Sequence, residues 1–125
     1  MAHPPAGRNR WRILVAGCHV PLAVHAVKAT TFAARLQGLL GRDALPEGEA
    51  MIFERCHSIH TIGMRFSIDA VFVDRQWRIV GLYREVGPGR LVASIWSAWG
   101  VIETTSGTVA RLGLHVGDQL QVVTG

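Results

Sequence analysis

Apolar and polar positions change period several times along the chain, and each change marks an element. Trp11 to Ala16 reads as a strand, and Val20, Leu22, Val24 and Ala26 alternate with other residues in a second strand running to Lys28, with a join near 17–19. In "TFAARLQGLLG" (31–41) the period lengthens. Phe32, Leu36, Leu39 and Leu40 form one apolar stripe, Thr31 can cap and Gly41 can stop, which predicts a helix over 31–40. Met51 to Ile62 is strand-like with a break near Cys56, and Gly63 to Ser67 turns. "IDAVFV" (68–73) is apolar at both alternating sets of positions, as a central strand covered on both faces must be. "DRQW" (74–77) connects it to a strand over 78–83, and "EVGPGR" (85–90) reads as loop because proline between glycines supports neither regular element. Short strands are expected at 91–94 and 101–105, a short helix near 107–112 with Ser106 as cap and Gly113 as stop, and a last strand over 116–123. The expectation is a mainly β fold: a compact antiparallel sandwich or barrel-like domain with two short α-helices. It occupies 11–125 behind a disordered tail of residues 1–10.

Composition narrows the class. At 125 residues, with 49% hydrophobic and 18% charged, the chain is one globular domain with a real core, not a disordered segment. The net charge of +4 raises nucleic acid as a partner. The arginines are scattered, however, and only Arg8, Arg10 and Arg12 cluster, at an end read as frayed, so a nucleic-acid face is not expected. Two cysteines, Cys18 and Cys56, are too few for a disulfide framework and lack CxxC spacing, so both read as reduced thiols in a cytoplasmic protein. "ILVAGC" (13–18) mimics a lipoprotein signal, but a secretory apolar region takes roughly 7 to 15 residues and this run is a strand instead. No run approaches the roughly 20 apolar residues of a membrane span.

Candidate chemistry gathers in "CHSIHTIGMRFSIDAVFVD" (56–74). Cys56, His57 and His60 are ligand types that suit zinc. In an extended segment, though, Cys56 and His60 lie about 13 Å apart and His57 points the other way, so neither a metal nor any other cofactor is expected. Cys56 paired with a histidine is a conceivable nucleophile, yet a cysteine beside apolar strands is more commonly a small core residue. His60, Asp69 and Glu103 are polar residues set in or beside apolar strands, where an ionised carboxylate must be paired or wet. If their strands are neighbours, the three can converge on a cleft with Thr61 and Arg65 as further donors. That makes an acid–base site or a ligand clamp. The structural alternative has Asp69 accepting amides of the 63–67 turn or pairing with Arg65, while Met64 packs. Trp96 and Trp99 either line a pocket mouth or pack on the sheet.

The blocks "ATTFAARLQGLLGR" (29–42), "CHSIHTIGMRFSIDAVFVD" (56–74) and "VIETTSGTVARLGLHVGDQL" (101–120) resemble the domain of unknown function 192 family of small bacterial and archaeal proteins. His60, Gly63, Met64, Ile68 and Asp69 carry the likeness. Arg55 and Ser67 stand where that family often has proline, and Ile62 where it often has an aromatic. The resemblance implies a compact β-rich fold and supplies no activity. No nucleophile elbow, phosphate loop, dinucleotide fingerprint or zinc framework occurs. The expected function is therefore a small-molecule or peptide binding or accessory module, with a polar pocket of His60, Thr61, Met64, Arg65 and Asp69. The alternatives are an acid–base hydrolase using His60 with Asp69 or Glu103, and an assembly partner in a larger complex.

Overall fold

Seven strands hydrogen-bond into one curled, half-barrel sheet. The computed structural model describes residues 9–29, 42–92 and 95–125, so the helix expected over 31–40 lies outside the described residues. The strands are β1 (Trp11–Val15), β2 (Ala23–Lys28), β3 (Glu49–Glu54), β5 (Ile68–Val73), β6 (Ile79–Val86), β8 (Gly100–Thr105) and β9 (Leu120–Thr124), in the order β6-β5-β8-β3-β2-β1-β9. A separate two-stranded ribbon pairs β4 (Ile59–His60) with β7 (Leu91–Val92). One short helix, α1 (Thr108–Leu112), follows β8 and stops at Gly113, whose φ of 62° is left-handed.

The mainly β expectation holds, with local differences that have physical causes. One neighbouring pair, β2 with β3, is parallel rather than antiparallel. A parallel pair needs a long crossover, and residues 29–48 intervene here. β3 ends where Arg55 turns left-handed at φ 56°, which is the break expected near Cys56. β6 continues through Glu85 and Val86, where a loop was expected. It does so by a bulge: Ile68 faces Val86 and Ala70 faces Tyr83, so Arg84 and Glu85 together oppose Asp69. Glu85 takes φ 51° there. Asn9, assigned to the tail from sequence, exchanges two hydrogen bonds of 3.0 Å with the Lys28 backbone.

The sheet is buried on both faces at its centre, and every residue of β5 is buried. Val71, Val73, Ile52, Ile102, Ile13 and Val109 pack on one face. Ile68, Ala70, Phe72, Met51, Phe53 and Val101 pack on the other, beneath Ile59 and Met64 from the ribbon and its turn. The 95–99 connection is seated on this second face. Gly81 has no β-carbon because one would overlap Ile95 Cδ1, so the glycine leaves a slot for that side chain.

Candidate functional site

Asp69 is fully buried, and both carboxylate oxygens are in use. Oδ1 accepts the Glu85 amide at 2.8 Å, and Oδ2 accepts the Val109 amide at 2.8 Å. Both partners follow from the backbone. A bulge residue is left out of the ladder, so its N–H needs another acceptor. The first turn of a helix likewise has unpaired amides. The residue before α1 is Gly107, at φ 94°, and it supplies no side-chain cap; Ser106, expected as the cap, does not serve. Asp69 meets both needs from β5. The donors expected from the 63–67 turn and from Arg65 are not the ones it uses, and Arg65 instead reaches Asp43 at 3.3 Å.

The cross-strand registers separate the expected triad. Asp69 lies opposite Thr104, on the face of Val71 and Val73. Glu103 lies between Ala70 and Met51 on the opposite face, and is fully buried. His60 is on β4, which pairs with β7 and not with β5 as an adjacent-strand reading would have it. Two open hollows of about 660 and 570 Å³ lie beside Cys18 and His19 and beside Arg84 and His115, and neither is lined by His60 or Asp69.

Thr61 is also a framework residue. It is fully buried; its hydroxyl donates to the Gly87 carbonyl at 2.6 Å and accepts the Arg90 amide at 2.8 Å. Its own amide donates to the Arg90 carbonyl and its carbonyl accepts the Gly89 amide, which clamps the 87–90 turn to the ribbon. Met64 is buried among Ile59, Ile68 and Phe72. Cys18 and Cys56 are free thiols, and Cys56 Sγ donates to the Ser58 carbonyl. Among the described residues no three His, Cys, Asp or Glu side chains gather as a metal site would require.

What remains accessible is the outside of the ribbon. Side chains alternate across it. Ile59 and its partner Val92 pack into the core, so His60 and its partner Leu91 occupy the other face. Thr61 turns inward again, and Ile62 follows outward. Leu91 is 78% exposed and Ile62 54% exposed. At the far end the Ile95 amide bonds the His57 carbonyl, and Trp96 stacks on the His57 ring with centroids 5.0 Å apart. Trp96 is 85% exposed, so it neither packs on the sheet nor lines a described hollow; Trp99 packs edge-on against Trp77. Sequence reasoning missed Leu91 and Ile62, since an apolar residue in a strand is expected to face inward. The inward Ile59 and Thr61 spacing was the available signal that their neighbours face out.

The sequence model of the domain of unknown function 192 family, described as an uncharacterized ACR, matches residues 15–122. No curated protein matches the chain. A protein of unknown function from Novosphingobium aromaticivorans DSM 12444 is 25% identical and superposes with a TM-score of 0.78 over 97% of this chain and 91% of its own. A protein from Sinorhizobium meliloti 1021, described as a proposed transcription regulator, shares the fold at 22% identity and a TM-score of 0.75, over 91% of this chain and 92% of its own. No described helix is long and apolar enough to cross a membrane.

Proposed function

The chain belongs to the domain of unknown function 192 family, and we propose that it is a small binding module whose working surface is the outer face of the β4–β7 ribbon. Its ligand class is a peptide segment of a protein partner. The observation that carries this reading is the exposure of Leu91 on the ribbon and of Ile62 and Trp96 in the segments that flank it. Exposed large apolar side chains gathered on one element mark interaction surfaces, whereas single ones are commonplace. The ribbon is also firmly held. Thr61 clamps one end and Ile95, in the Gly81 slot, the other. A preorganised strip loses less entropy on binding than a mobile loop. From His57 to Ile62 it runs about 16 Å at the usual rise per residue, a length suited to an extended segment.

In this reading His60 belongs to the surface, as Leu91's cross-strand partner, while Asp69 and Thr61 hold the framework behind it. An acid–base site is less well supported, because Asp69 is enclosed and lies on the face opposite Glu103. The test is selection from a random peptide display library on the folded protein, repeated on Leu91→Ser and Trp96→Ser. Enriched peptides should lose most of their binding to both variants, while both variants keep the wild-type melting temperature. Peptides that bind the variants as well as wild type would refute the ribbon as the working face, and so would a selection that enriches nothing.

A further inference from the structure

We infer that the segment received by the ribbon is acidic, carrying Asp or Glu beside its large apolar side chains; this rests on the reading of the ribbon as the binding face. The chain has nine acidic residues, and none falls in 55–68 or 86–102, the two stretches that build the ribbon and its flanks. Those same stretches contain Arg55, Arg65 and Arg90 together with His57 and His60. Of the four acidic residues directly beyond them, Glu85 is exposed at the β6 bulge and the other three are buried or paired. Asp69 and Glu103 are fully buried, and Glu54 pairs with Lys28 at 3.4 Å.

The arginines are also available. Arg55 and Arg90 are exposed and form no ion pair among the described residues. Arg65 meets Asp43 at 3.3 Å, but the two side chains are 64% and 89% exposed, and a pair so open to water is readily exchanged for another carboxylate. Arg90 directly precedes Leu91, is exposed, and has its amide fixed by Thr61, so its charge leaves a rigid backbone one residue from the apolar contact. A strip with large apolar side chains at both ends and exposed guanidinium groups in its flanking segments is complementary to a segment that carries both carboxylate and apolar side chains. The charges chiefly set the choice of partner and the rate of encounter. An anionic membrane or a single-stranded nucleic acid shares the negative charge. Each fits less well: Trp96 and the Ile62–Leu91 pair sit at opposite ends of the strip and do not form one apical tip, and among the described residues Trp96 is the one exposed large apolar side chain there that is aromatic.

The experiment sequences the peptides selected on wild-type protein, keeps those whose binding falls in Leu91→Ser, and reads their charge. Asp and Glu should be enriched over Lys and Arg next to Leu, Phe or Trp. One such peptide, resynthesised, should bind at least about tenfold more weakly to an Arg55→Glu/Arg90→Glu variant, and more weakly at high salt. Ribbon-dependent peptides that are neutral or basic would overturn the acidic partner and leave the ribbon reading standing. Peptides indifferent to Leu91→Ser would overturn both. Phosphatidylglycerol vesicles and a labelled oligothymidine are run in parallel. If either binds through Leu91 and Arg90 while no acidic peptide does, a protein partner is refuted.

Discussion

Asp69→Asn is nearly isosteric, so its effect isolates the hydrogen-bond geometry. An asparagine keeps one oxygen and replaces the other by an NH2 group. Whichever way it is turned, that NH2 meets either the Glu85 or the Val109 amide, each now 2.8 Å from an acceptor, at a site with no solvent exposure. One hydrogen bond to a charged group is lost, worth about 1.5–3 kcal/mol, and one buried donor is stranded, at about 1–3 kcal/mol. These describe overlapping parts of one change, so the net cost is about 2–4 kcal/mol, a large share of the ~5–15 kcal/mol that holds a domain together. For a chain of this size that lowers the melting temperature by roughly 10 °C. Calorimetry measures the total, and amide exchange locates it: Glu85 and Val109 should lose protection first, with the bulge and α1 opening around them. Asp69→Ala, which strands both donors, should cost more than the asparagine. An asparagine variant melting within about 1 °C of wild type, with both amides still protected, would refute the structural role assigned to Asp69.

Thr61→Val should lower stability by about 2–4 kcal/mol in urea denaturation, because the Gly87 carbonyl and Arg90 amide both lose the hydroxyl, whereas Thr61→Ser should lose about 1 kcal/mol or less. Glu85→Gly should be neutral or stabilising by up to ~1 kcal/mol in the same assay, since the residue sits at φ 51° and its contribution to Asp69 comes from the backbone. A melt in excess EDTA should match one without it, because no described cluster can hold a metal; a drop of several degrees would show a metal-dependent fold.

The parts of the fold governed by local pattern were legible. β5 was recognisable because a run apolar at both sets of alternating positions has nowhere to lie but the sheet centre, and α1 ends at the expected Gly113. What escaped depends on register between distant segments. Nothing in the spacing of "IDAVFV" says that Asp69 will lie beside residue 85 and below residue 109. A reader of the sequence looks instead to the nearest turn and the nearest arginine. The partner of β4 was hidden for the same reason, since proximity along the chain favours β5 while the Thr61 clamp draws the strand to β7. The extension of β6 was hidden because its left-handed residue is a glutamate, where glycine is the usual marker. At the candidate surface, the half-buried histidines drew attention from sequence, and the apolar residues beside them did not.

The pairing of β1 with β9 has a further consequence. Trp11 faces Thr124 across that ladder, and the Gly125 amide bonds the Arg10 carbonyl at 3.0 Å. The polypeptide therefore enters and leaves the domain at one place. A short peptide bridge could close it into a ring, and the ring could be cut open elsewhere, as in circular permutation. By the same geometry a host protein could carry this fold as a cassette in one of its surface loops, because the loop would need to part only by the width of one strand pair, about 5 Å.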